Sequence, residues 1–102
     1  MTAVASQLSA KRALRVLKAL KGATFTGLSN TDVAKALGET PSNVSRSLAV
    51  LVEEGFALRL DNGRYAHSVA LLQIAQAHAD HTARLQARMT ETTQRIAAGS
   101  LS

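Results

Sequence analysis

Four residues in one short stretch, Ser42, Asn43, Ser45 and Arg46, carry side chains that can read the edges of base pairs. Arg pairs with guanine, Asn with adenine, and Ser donates or accepts. They lie in the run TPSNVSRSLAVLVEEG, residues 40–55. There Thr40 can cap a helix, and Pro41 takes the first helical position, where no N–H is missed. At about 100° per residue, Val44, Leu48, Leu51 and Val52 share one face and are expected in the core. Ser42, Arg46, Ala49 and Glu53 lie opposite, with Asn43 and Ser45 flanking near the start. A small polar face with one Arg fits a DNA major groove, because bulky side chains would hold the backbone away from the base edges. The same face would serve plain solvation, so the elements around it must decide.

No other constellation offers chemistry of similar weight. The chain has no Cys, which excludes disulfides, thiol catalysis and a Cys-built zinc site. P-loop and dinucleotide-binding glycines are absent. His78, Asp80 and His81 place two imidazoles three residues apart on one helix face, but no third or fourth ligand accompanies them. Ser, His and Asp are all present without a nucleophile motif. The expectation is a binding protein that is not an enzyme, with no metal and no cofactor.

The candidate reading helix is preceded by a second one. Ser29 can cap it, with Asp32 three residues on as a short capping box, and Gly38 stops it. Val33, Ala34 and Leu37 form its core side. Two helices joined by a tight Gly-containing turn make a helix-turn-helix, whose second member usually enters the groove. After Gly55 the apolar period changes to two: Phe56, Leu58 and Leu60 alternate with Ala57 and Arg59. Asn62-Gly63 then separates this run from Arg64–His67, a strong hairpin signal. A hairpin directly after the reading helix is a wing, and Arg59, Asn62 and Arg64 mark its tip as a candidate DNA contact.

Upstream, residues 1–5 have no pattern and are expected to form a mobile arm. Ser6–Lys21 reads as a helix with Ala10, Ala13, Leu14, Leu17 and Leu20 on an apolar face and Val16 at its edge. Lys11, Arg12, Arg15 and Lys18 share the other face, and no acid interrupts it. Solvated faces usually mix signs, so this one suits DNA phosphates. In the connector that follows, Phe25 is expected to tuck inward.

Charge follows the same division. The net charge is +5, and residues 1–67 hold nine of the twelve Lys and Arg against five of the seven acids. Such a basic domain is drawn to polyanions. No window is apolar enough to span a membrane, and the start is no signal peptide. The remaining segment, from Ser68 to Ala98, is Ala- and Gln-rich. It reads as one helix of about 45 Å or as two helices meeting near Asp80. Its stripe of Leu85, Met89 and Ile96 is too thin to hold a lone helix in water and calls for a partner helix. Residues 99–102 are expected to fray. The chain thus divides into a winged helix-turn-helix at 6–67 and a dimerising helical segment at 68–98. The fold class is mainly α with a small β-hairpin.

Three stretches, RALRVLKAL, GLSNTDVAKALGETPSNVSRSLAVLVEEGF and DNGRYAHS, resemble the DNA-binding domain of the isocitrate lyase regulator (IclR) family over roughly residues 10–77. The resemblance implies a bacterial-type transcription factor that binds operator DNA as a dimer. It assigns base reading to Ser42, Asn43, Ser45 and Arg46, and wing contact to Arg59 and Arg64. Members of that family continue into a larger effector-binding domain, whereas this chain ends at Ser102. No small-molecule sensor of that kind is therefore expected.

The combined expectation is a cytoplasmic, sequence-specific regulator of transcription. It would bind an inverted-repeat operator in double-stranded DNA as a homodimer, with no membrane partner. Two other readings remain at this point. One is an accessory or architectural DNA-binding protein of a phage or other mobile element. The other is a winged-helix module that binds protein, against which the basic first helix and wing both argue.

Overall fold

The computed structural model of the chain describes residues 2–100, with side chains over residues 7–100. Six elements follow in order: α1 (Thr2–Ala19), α2 (Asn30–Leu37), α3 (Pro41–Glu53), β1 (Ala57–Arg59), β2 (Tyr65–His67) and α4 (Val69–Ser100). This is a winged helix-turn-helix followed by a C-terminal helix. Two compact units divide between Leu72 and Gln73.

In the first unit, residues 2–5 are helical and not the expected arm. They contain no Gly or Pro, and their two alanines favour continuing the helix. Met1, the rest of that arm, lies outside the described residues. The core is aliphatic: Val16 and Leu20 of α1, Val33 and Ala34 of α2, and Val44, Leu48 and Leu51 of α3, closed by Ala57 of β1. The buried side of α1 is centred on Val16 and Leu20. Leu14 lies about 200° around the helix from Val16 and is 58% exposed, contrary to expectation. Val52 and Phe25 also differ from expectation. Val52 sits at the rim of the α3 face, and Phe25 is 93% exposed in the connector.

Each helix of the helix-turn-helix is capped as the sequence implies. Ser29 Oγ accepts from Asp32 N (3.1 Å) and the Asp32 carboxylate accepts from Ser29 N (3.3 Å). Thr40 Oγ1 accepts from Asn43 N (3.2 Å), with Pro41 at the first helical position. At the end of α3, Phe56 N donates to Leu51 O (2.8 Å) and Gly55 N to Val52 O (3.1 Å). This paired closure satisfies the last carbonyls and turns the chain directly into β1.

The hairpin is antiparallel, with Ala57, Leu58 and Arg59 opposite His67, Ala66 and Tyr65. Ala57 faces the helical core together with Tyr65, and Ala66 is buried on the other side opposite Leu58. Small residues at 57 and 66 let the ribbon lie close to its neighbours. At the tip Gly63 N donates to Leu60 O (2.9 Å) and Leu60 N to Arg64 O (2.7 Å). Only Gly63 of the tip has a positive φ, 81°. The loop is therefore a type I turn closed by a left-handed glycine, and Asn62 keeps an ordinary φ. Asn62 contributes instead through its side chain, whose Oδ1 accepts from Arg64 N (2.9 Å).

Leu28 adds a one-residue third strand, exchanging hydrogen bonds with Tyr65 at 2.9 and 2.8 Å. The preceding residue, Gly27 (φ +70°), lies so close to the wing that a Cβ there would meet Arg64 Cβ at 2.7 Å and Leu60 Cδ1 at 2.8 Å. Ser68 closes the unit. It caps α4 by accepting from Leu71 N (3.1 Å) and donates to Gly55 O (2.6 Å).

The second unit, from Gln73 onward, belongs to α4. This helix is unbroken across Asp80 over its 32 residues, about 48 Å at 1.5 Å per residue. It has no buried residue, and Leu85, Met89 and Ile96 are 42%, 68% and 68% exposed. Of the end expected to fray, Gly99 and Ser100 are helical, with Ser100 Oγ donating to Ala97 O (2.8 Å). Residues 101 and 102 lie outside the described residues.

Candidate nucleic-acid interface

The surface that follows from this fold is the side of α3 turned away from Val44, Leu48 and Leu51. Pro41, Ser42, Ser45, Arg46, Ala49 and Glu53 are all exposed there. Small side chains at 42, 45 and 49 leave the backbone approachable. Arg46, in the second turn of α3, has no ion-pair partner among the described residues and stands as a free cation. Both acids of the segment, Glu53 and Glu54, come at the far end. The first two turns thus combine the positive pole of the helix with neutral or basic side chains, the end suited to meet a phosphate backbone.

Asn43 is half-buried and is not part of that outer face. It lines, with Arg46, Ser47 and Val50, a concavity of about 290 Å³ between α3 and the Ser9–Ala13 segment of α1. Ser45 belongs to a polar set that the sequence pattern does not reveal. Asn30 Nδ2 donates to Ser45 Oγ (2.9 Å), and Asn30 Oδ1 accepts from Thr31 Oγ1 (3.4 Å). Accepting from Asn30 leaves the Ser45 hydroxyl proton free to donate outward. The only hint in the sequence is that Asn30 and Ser45 are both polar, outward residues early in successive helices.

The basic face of α1 splits in two. Lys11 and Lys18 are exposed and make no ion pair among the described residues. Arg12 and Arg15 turn to Glu39 in the α2–α3 turn, at 3.2 Å from Arg12 Nε to Oε2 and 3.5 Å from Arg15 Nη1 to Oε1. The Arg12 Nε–H is buried and is not aligned as a hydrogen bond, so this contact acts through charge. Arg15 Nη2 also donates to Leu37 O (3.0 Å). The acid missing from the α1 face is supplied by another element, which periodicity within one helix cannot show.

The wing divides similarly. Arg59 is exposed, its guanidinium 5.8 Å from the centre of the Tyr65 ring directly across the hairpin. Arg64 instead turns back to the body. Its Nε donates to Gly27 O (3.2 Å) and its Nη2 to Asp32 Oδ2 (3.1 Å). Hydrogen bonding from Ser29 holds the Asp32 carboxyl below the usual carboxylate range, and the charges of Arg64 and Lys35 lower it further. At the wing base, His67 Nε2 donates to Leu17 O (2.7 Å).

Among the described residues no group of His, Asp and Glu has the arrangement to hold a metal ion, and no helix is long and apolar enough to cross a membrane. The arrangement offers cations and small polar side chains on one convex helix flanked by a hairpin, which is equipment for recognition.

The same order of elements occurs in known proteins. In the crystal structure of Pseudomonas aeruginosa HmgR, the likeness covers 71% of this chain and 30% of that one, with a TM-score of 0.60 and 28% identity. In Thermotoga maritima IclR it covers 67% and 27%, with a TM-score of 0.57 and 25% identity. The chain thus matches less than a third of the length of either. No curated protein matches it. Residues 9–61, from the middle of α1 to the tip of the wing, match the IclR helix-turn-helix domain. With more than half of the chain matched and every element of the domain in place, the chain belongs to the IclR helix-turn-helix family of DNA-binding domains.

Proposed function

We propose that this protein is a sequence-specific regulator of transcription that binds an inverted-repeat operator in double-stranded DNA as a homodimer. The observation that carries the reading is the outer face of α3, where Ser42, Ser45 and Arg46 stand exposed and unencumbered by bulky neighbours. In this reading Arg46 and Ser42 meet base edges, Ser45 donates outward, and Asn43 and Pro41 border the entry of the helix into the groove. Arg59 on the wing and Lys11 and Lys18 on α1 meet phosphates. The protein works in the cytoplasm, where operator DNA is accessible.

Dimerisation is assigned to α4. In this helix Ala75, Thr82, Met89 and Ile96 recur every seven residues, and His78, Leu85 and Thr92 recur every seven between them. Spacings of four and three residues alternate, the pattern of a two-stranded coiled-coil seam. A thin, exposed stripe of this kind gains stability from a second copy. Two copies present two α3 helices to half-sites about one helical turn apart, hence the inverted repeat.

Selection of bound duplexes from a random-sequence library tests the function. A recurring motif with two-fold symmetry is expected. Binding without a recovered motif would favour an architectural role, and no binding to duplex DNA would overturn the reading.

A further inference from the structure

The wing is weakly held by its own strands. Each has three residues, and a two-stranded hairpin of that size is marginal in water. Besides the packing of Ala57 and Tyr65 on the core and the His67–Leu17 bond at its base, the wing is tied to the rest of the unit by the Leu28–Tyr65 bridge and by the side chain of Arg64. That side chain spans two elements: Nε is bonded to Gly27 O in the connector, and Nη2 to the Asp32 carboxylate in the first turn of α2. Asn62 fixes the Arg64 backbone from the tip. The fit is close, since no Cβ could be placed at Gly27 without striking Arg64.

We infer that Arg64 is a positioning residue: it sets the wing against the helix-turn-helix and does not contact a phosphate. Swinging the guanidinium to DNA would break both bonds and take from the Asp32 carboxylate its ion-pair partner. Arg59, across the hairpin and without an ion-pair partner among the described residues, is the wing cation that meets phosphate. The inference rests on the DNA-binding reading for its functional consequence, but its structural half can be read without DNA.

Phosphate contact and positioning predict different salt dependence. Each phosphate neutralised contributes about 0.9 to the slope of log K against log salt. With a random-sequence duplex as probe, Arg59→Ala should make the slope shallower by about 0.9. Arg64→Ala should weaken binding at every salt concentration with the slope unchanged. Asp32→Asn keeps an acceptor for the Ser29 cap and removes the charge that holds Arg64. It should also weaken binding, although it makes the protein more positive, and adding Arg64→Ala to it should cost little more. A shallower slope for Arg64→Ala, or tighter binding by Asp32→Asn, would overturn the inference.

The second measurement is amide hydrogen exchange on the full chain without DNA. In Arg64→Ala, exchange at the Leu28 and Tyr65 amides should accelerate while the α3 amides keep their protection. Unchanged protection at Leu28 and Tyr65 would refute the strut whatever the DNA results. If the wild type failed to bind duplex DNA while exchange behaved as expected, the functional reading would fall and the strut would stand.

Discussion

Gly27→Ala probes the close approach on which the wing depends. Two costs can be worked from the geometry. Gly27 has φ +70°, and holding an alanine in the left-handed region costs about 1–2 kcal/mol. The new methyl would also lie 2.7 Å from Arg64 Cβ, 2.8 Å from Leu60 Cδ1 and 3.2 Å from Tyr65 O. Forcing a methyl into such a site costs about 1–3 kcal/mol more. Gly22→Ala supplies the control: φ there is +77° and nothing lies within 4 Å of the new atom. It should show only the first cost. The difference between the two variants, about 1–3 kcal/mol, isolates the steric term. In a domain of this size each kcal/mol lowers Tm by roughly 4–8 °C. Urea unfolding of both variants beside the wild type measures it. Equal destabilisation would refute the reasoning, because the wing would then not be seated on Gly27.

Three further outcomes follow from the same contacts. Glu39→Gln releases Arg12 and Arg15; it should cost about 0.2–1 kcal/mol in urea unfolding and tighten binding to random duplex with a steeper salt slope. Unaltered or weaker binding would show that these cations do not face DNA. Asp32 has a folded-state pKa below its ordinary value of 3.8, so the stability it contributes is complete above that value and is lost as pH falls through the lowered one. The stability gap between wild type and Asp32→Asn should therefore narrow on acidification below about pH 4, and a gap that widens would contradict this. Replacing both Leu85 and Met89 with Glu should turn a micromolar dimer into a monomer by light scattering; a wild-type monomer, or a variant that stays dimeric, would reject the α4 seam.

Much of the fold could be read from local signals. Ser29 with Asp32, Thr40 with Pro41, and the glycines at 38 and 55 are short-range features whose physics lies within a few residues. The Asn62-Gly63 turn marked the hairpin, although its geometry came out as a type I turn with only Gly63 left-handed. What could not be read depends on distant partners. Glu39 pairs with Arg12 and Arg15 across more than twenty positions, and Asp32 with Arg64 across thirty-two. A basic face or a basic hairpin tip looks the same in sequence whether its cations are free or paired. Core placement failed for a related reason. Leu14 and Phe25 are as apolar as Val16 and Leu20, and only packing between α1, α2 and α3 decides which are covered.

The central claim is that the outer face of α3 reads bases, and Arg46 tests it most directly. Equilibrium affinities of wild type and Arg46→Ala should be measured at one salt concentration on a library-selected duplex and on a random one. A base contact predicts a loss of about 1–3 kcal/mol on the selected duplex and a clearly smaller loss on the random one. Equal losses on both would make Arg46 a phosphate contact and contradict the account.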